Sequence, residues 1–208
     1  MKKCFAFTVI AALTLCVSQL YPAESKKNVE ANKLAREGAE AAKSQDWDKA
    51  VELLRKATNL DHKYADELSA VYQRRGYADA NEQKFQDAIE EYSEAAKLTP
   101  QDVRIYEQRA AVAMKIQDYD KALADYTEVI KLKPNEVRYL NYRAYIYELK
   151  NDIKNSLADN EKVLKTDANN QEAKARKQRL EQKLAEQTPL TPPPAAARKT
   201  SPGPARTP

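Results

Sequence analysis

Two stretches of the chain lie over each other without a gap: KFQDAIEEYSEAAKLTP, Lys84 to Pro100, and DYDKALADYTEVIKLKP, Asp118 to Pro134. Each begins with an aromatic residue at its second place, Phe85 or Tyr119. Ala88 or Ala122 follows, then Tyr92 or Tyr126, and each closes on a proline. The offset is 34 residues at every one of these places. A further step of the same length reaches DIKNSLADNEKVLKTDA, where Ile153, Ser156, Asn160, Val163 and Ala168 take the equivalent slots. The step backwards is 38 residues and reaches DWDKAVELLRKATNLDH, with Trp47, Ala50, Leu54, Ala57 and His62. The excess of four is about one helical turn.

The stretches just upstream align as well. IYEQRAAVA, VYQRRGYAD and YLNYRAYIY put Tyr106, Tyr72 and Leu140 in register. Arg109, Arg75 and Arg143 follow three residues later, then Ala110, Gly76 and Ala144. Apolar residues in each half recur at i, i+3 or i+4, and i+7, the period of a helix with one buried face. Each unit is therefore expected to be two helices joined by a short polar turn such as Gln117-Asp118. Small residues at Ala110 and Ala122 let the pair approach, and Tyr106 and Tyr126 fill the space around them. With only 3 glycines and 32% charged residues, the composition is that of a helical protein.

This pattern resembles the tetratricopeptide repeat, with Tyr for Trp and Arg for Leu in the first half of the motif. The resemblance implies an all-α fold: a right-handed solenoid of antiparallel helix pairs, four repeats long, with a C-terminal capping helix. The solenoid is expected over residues 26–187, with repeats at about 31–64, 69–102, 103–136 and 137–170, and the cap at 171–187. The two middle copies match best. In the last, Ser156 and Asn160 put polar groups in core slots. In the cap, Ala173, Leu180 and Leu184 are expected to cover the last repeat, the rest being solvated.

Arg75, Arg109 and Arg143 are each followed sixteen residues later by an acid, Glu91, Asp125 or Asp159. The first copy has Glu37 and Leu53 in those slots, so it lacks both partners together. An ion pair between the two helices of each repeat is expected, setting register more than adding stability.

The ends differ from the middle. Lys2 and Lys3 precede an apolar run from Cys4 to Val17, too short for a confident membrane span. Residues 1–18 are expected to be a signal peptide, with cleavage after Ala23 as an alternative. Retention as a membrane anchor, or lipidation at Cys16, is the competing reading. Export to a periplasmic or extracellular space follows from the first. Both cysteines lie in this leader, so the processed chain would carry no thiol chemistry. Residues 188–208, TPLTPPPAAARKTSPGPARTP, lack apolar residues to bury and are rich in proline. A disordered or partly polyproline II tail is expected.

The net charge of +4 belongs to the ends. Lys2 and Lys3 supply two charges, and Arg198, Lys199 and Arg206 three more, leaving the segment between them at −1. That balance does not suit a nucleic-acid-binding body. The one histidine, His62, falls in a turn between repeats, and neither a phosphate loop nor a metal-ligand cluster is present in the sequence. No enzyme activity, no cofactor and no metal is expected.

In the family the resemblance points to, ligands lie along the first helix of each repeat. Projected here, that face carries Arg36 and Lys43, then Gln73, Arg74, Tyr77 and Asn81. Next come Arg104, Gln108, Ala111 and Lys115, and finally Arg138, Asn141, Tyr142 and Tyr145. The candidate peptide-binding set is Arg74, Tyr77, Arg104, Gln108, Arg138, Asn141, Tyr142 and Tyr145. Arginines and tyrosines together suit a protein or peptide partner, an acidic one in particular. Membrane contact is expected only through the leader. Some family members clamp a chaperone's C-terminal carboxylate with Lys-Asn-Asn-Lys-Arg. The matching places here are Ala35, Ala39, Arg74, Arg104 and Gln108, or Gln73, Tyr77, Gln108, Arg138 and Tyr142 one copy on. Neither set reproduces the clamp.

Overall fold

The computed structural model describes residues 22–187, so the expected leader and proline-rich tail lie outside the described residues. Nine α-helices follow one another among these residues: α1 (Pro22–Lys43), α2 (Trp47–Leu60), α3 (Ala65–Asn81), α4 (Phe85–Leu98), α5 (Val103–Lys115), α6 (Tyr119–Leu132), α7 (Val137–Leu149), α8 (Ile153–Thr166) and α9 (Gln171–Gln187). Each odd-numbered helix up to α7 packs against the next, and each pair packs on the one after it, giving an all-α helical solenoid. No strand occurs among the described residues.

The extra four residues of the first spacing have a definite place. A short 3₁₀ turn, His62–Tyr64, leads directly into α3, which is 17 residues long where α5 and α7 have 13. The insertion is one added turn at the start of α3, with Ala65 and Leu68 buried beneath it. The helix is lengthened and the stacking beyond it keeps its period. α1 also begins upstream of residue 31, because the chain from Ala23 to Glu37 contains neither glycine nor proline to stop a helix.

The alanines that align in the sequence are the contact points between paired helices. Ala50, Ala88, Ala110, Ala122 and Ala144 are all fully buried. Gly38 occupies the equivalent slot in the first pair, where a Cβ would come within 2.8 Å of Leu54 Cγ. One apolar core runs from Ala31 through Tyr72, Tyr92 and Tyr126 to Ile146. A second, smaller cluster of Leu140, Val163 and Ala173 seats α9.

The turns inside the helix pairs repeat a feature that sequence spacing did not reveal. Gln45, Gln83, Gln117 and Asn151 all have φ near +60°, in the left-handed region that ends a helix sharply. The next residue opens the following helix. Asp46, Asp118 and Asp152 accept a hydrogen bond from the backbone N–H three residues on. Lys84 stands at the same place with nearly the same backbone angles as Asp118, and makes no such cap. Lys84→Asn should therefore raise stability by about 1 kcal/mol, read as a higher denaturant midpoint with an unchanged slope. An unchanged midpoint would mean that α4 gains nothing from an N-cap.

The last helix corrects one expectation and adds another. Ala173 and Leu180 are buried as expected, whereas Leu184 is only about half covered, at 46% exposed. Arg176, read as solvated, is instead 1% exposed. Its Nη1 donates to Asn141 Oδ1 at 3.1 Å and to Asn160 Oδ1 at 3.3 Å, and its Nη2 donates to Glu172 at 2.5 Å. Asn160 in turn donates to the Ala173 carbonyl at 2.7 Å, and Ser156 to the Ala144 carbonyl at 2.7 Å. The polar groups in the last repeat's core slots are therefore hydrogen-bonded, as buried polar groups must be. They shape a seat that only a long side chain from α9 fills.

Candidate functional site

The buried arginines form a ladder. Arg109 grips Asp125 with a fork, Nε to Oδ2 at 3.0 Å and Nη2 to Oδ1 at 2.6 Å. Arg143 holds Asp159 the same way, at 2.7 and 2.9 Å, and Arg75 reaches Glu91 at 2.6 Å. Each expected pair forms. The remaining guanidinium N–H of Arg109 donates to Ser93 Oγ at 2.9 Å, and that of Arg143 donates to Thr127 Oγ1 at 3.0 Å. Ser93 and Thr127 sit sixteen residues before these arginines, on the preceding pair. The ladder therefore ties repeat to repeat as well as helix to helix. Arg75 finds Asp48 at 3.0 Å instead.

Asp125 is 1% exposed and Asp159 2%. Burial pushes the Asp125 and Glu91 carboxyls above the usual carboxylate value, against the pull of their arginines. Keeping these pairs ionised inside the stack is costly, so they specify register without adding much net stability. Asp125 is the most tempting acid for chemistry, and it is spent on structure.

The open face presents a different arrangement. A groove of about 630 Å³ lies between α3 and α5 and reaches the start of α2. Gln73, Arg74, Tyr77, Asn81, Arg104 and Gln108 line it, with Trp47 at one side. Four of the eight candidate residues are thus brought together: Arg74, Tyr77, Arg104 and Gln108. Tyr77 is 59% exposed. Arg138, Tyr142 and Tyr145 are exposed on α7, outside this groove. Asn141 is not on the open face. Its side chain is turned toward α9 and held by Arg176, and the residue is 8% exposed.

The arginines are less available than the sequence implies. Arg104 lies in a fork on Asp102, Nε to Oδ1 at 3.0 Å and Nη2 to Oδ2 at 2.9 Å. This pairing, with the Arg104 backbone N–H also donating to it, holds the Asp102 carboxyl below its usual value. Arg138 donates to Glu107 Oε1 at 2.9 Å and to the Tyr139 hydroxyl at 2.8 Å. Arg74 has no ion-pair partner among the described residues. Exposed pairs of this kind are worth about 1 kcal/mol or less, so a ligand carboxylate can compete for Arg104 or Arg138. Gln108 adds a buried amide oxygen without a hydrogen-bond partner among the described residues. The groove therefore offers one free cation, amides and a tyrosine ring. Among the described residues no group of acids and histidine is placed to hold a metal.

Residues 103–136, the α5–α6 pair, match the family model of the tetratricopeptide repeat. That pair is a tetratricopeptide repeat. Solved structures share the fold. A tetratricopeptide repeat protein from Parabacteroides merdae is 20% identical, with a TM-score of 0.54 over 76% of this chain and 61% of that one. The first such domain of Spaghetti (RPAP3), bound to the HSP90 peptide SRMEEVD, is 20% identical with a TM-score of 0.50 over 58% and 95%. The Arabidopsis OM64 domain is 25% identical with a TM-score of 0.49 over 57% and 98%. No curated protein sequence matches the chain. In repeat terms, the groove belongs to the first helices of the second and third repeats, and the arginine ladder joins the first helix to the second in the second, third and fourth repeats.

Proposed function

We propose that this chain is a non-catalytic scaffold that takes a peptide segment of another protein along the first helices of its repeats. The observation that carries this reading is the groove itself. Tyr77, Gln73, Asn81, Gln108 and Arg74 converge there, and the buried acids that could serve chemistry are held by arginines. Amides can satisfy a peptide backbone, and Tyr77 offers apolar area at small entropic cost. Arg74 is the place for a ligand acid, with Arg104 available once it leaves Asp102. The Spaghetti domain, whose fold is similar, binds a peptide. The clamp residues of the chaperone-binding members are absent here, so a different peptide is expected. Nucleic acid is not a partner in this reading.

A displayed peptide library selected on the full chain tests it. Selected peptides should bind with 1:1 stoichiometry, and the double variant Arg74→Ala, Tyr77→Ala should weaken them about tenfold, some 1.4 kcal/mol. Peptides that bind both forms equally would remove the groove from the proposal. Acid preference is read separately, from Arg74→Glu. Loss of binding by acidic peptides alone supports it, and equal binding of acidic and neutral peptides rejects it.

We also propose export, on the strength of the basic and apolar leader before Ser18. The alternative is a tethered envelope assembly factor that keeps the leader as an anchor or is lipidated at Cys16. N-terminal analysis by mass spectrometry separates them: a first residue of Gln19 supports cleavage, whereas Met1, or an acylated Cys16 as first residue, supports the tethered form.

A further inference from the structure

α7 exposes three large side chains on one face, Tyr142 at 44%, Tyr145 at 43% and Leu149 at 42%. Their i, i+3, i+7 spacing puts them side by side. The Tyr142 ring leans on Tyr126 with 5.3 Å between centroids, so the patch has a fixed floor. No charge belongs to these three side chains. Most of the large apolar side chains among the described residues are buried or half-buried, and this stripe is left exposed by them.

The helix flanking the patch is α9. Arg176 holds Asn141, one residue before Tyr142, and Arg179 holds Glu148, one residue before Leu149, at 3.0 and 3.1 Å. α9 therefore runs beside α7 in the same direction. Gln187 lies eight residues past Arg179, about 12 Å further along at 1.5 Å per residue. The chain then continues with PLTPPPAAA, Pro189 to Ala197, which carries no charge; the first cation is Arg198. From Gln187 to Pro192–Pro194 an extended chain at about 3.1 Å per residue spans roughly 15–22 Å. That is enough to turn back and bring the prolines over Tyr145 and Tyr142.

We propose that the chain's own segment Pro189–Ala197 docks on the Tyr142–Tyr145–Leu149 stripe of α7. Proline rings stacked on tyrosine faces are the contact expected of polyproline II recognition, in which little conformational freedom remains to be lost. The short tether raises the segment's local concentration to the millimolar range, which favours it over an untethered proline-rich partner. The uncharged run meets the uncharged stripe, and its cations fall beyond it. Docked there, the segment would cover the C-terminal end of the open face. Its effect on ligand access rests on the groove reading above, whereas the docking itself does not.

Nitration of the full chain by tetranitromethane, read by mass spectrometry, tests this without any added peptide. The comparison is with the full-chain variant Pro192→Gly, Pro193→Gly, Pro194→Gly, whose changes lie outside every helix described. Tyr142 and Tyr145 should react about fivefold more slowly in the unaltered chain than in the variant, the protection a tethered weak contact provides. Tyr77, exposed on α3, should react equally in both. Equal rates at Tyr142 and Tyr145 would overturn the proposal. So would protection that grows with protein concentration, since it would assign the stripe to a second copy.

Discussion

Asp125→Ala should destabilise the protein by about 3 kcal/mol, one of the largest losses available to a single change outside the apolar core. The alanine leaves Arg109 in a mostly buried position with Ser93 as its hydrogen-bond partner and no counter-charge in place of Asp125. A charge left unpaired in such a place is far more costly than the pair itself. The pair as a unit should be nearly dispensable. Arg109→Met combined with Asp125→Leu should fall within about 1 kcal/mol of the original, because apolar side chains of similar volume escape the desolvation penalty. The first repeat already works this way, with Leu53 in the slot of the acid and Glu37 in that of the arginine. Denaturant midpoints of the two single variants and the double give the coupling directly. Two single losses that simply add in the double would show that the ladder carries independent stabilising contacts and is not a register device.

Alkali should unfold the protein between pH 10 and 12, with two buried tyrosines driving much of the effect. Tyr92 is 1% exposed and Tyr126 is 7% exposed, and burial pushes each hydroxyl up to about 12. An unfolded tyrosine loses its proton near pH 10. Below that pH both states hold the proton and the contribution is fully present. Between the two values the unfolded state has released protons that the folded state keeps, so stability falls as pH rises. At about 1.4 kcal/mol per pH unit for each group, the two together cost on the order of 5 kcal/mol by pH 12. That rivals the whole stability of a typical domain. Urea midpoints measured across this range should drop steeply. In Tyr92→Phe, Tyr126→Phe the decline should be much shallower, with the lysines serving as an unchanged background. An equal slope in both proteins would assign the alkaline loss to other groups.

Much of the frame was legible in the residues. The 34-residue step located the paired helices, and the sixteen-residue spacing identified the partners of Arg75, Arg109 and Arg143. Both work because they concern two helices of one repeat, whose turn is short and whose faces are fixed by the helical period. The extra turn of α3 was visible too, as four surplus residues. Less of the candidate site was legible. The sequence marks Arg104 and Arg138 as groove cations, and only the structure shows Asp102 and Glu107 already against them. Asn141 shares the register of the open face, yet α9 draws it inward.

The sequence by itself therefore determined the repeat, the helix pairs, their small-residue contacts and the internal ion pairs. These depend on local periodicity, which every copy states again. Tertiary structure alone decided how one repeat sits on the next. It brought Ser93 and Thr127 to the arginines of the following repeat, buried Arg176 while leaving Leu184 exposed, and turned four amide residues into left-handed turns. It also decided that Arg104 and Arg138 are paired on the open face while Arg74 has no ion-pair partner among the described residues. Contacts between repeats depend on the rotation from one pair to the next, and no spacing along the chain encodes that angle directly. It emerges only when the buried side chains of neighbouring pairs interlock.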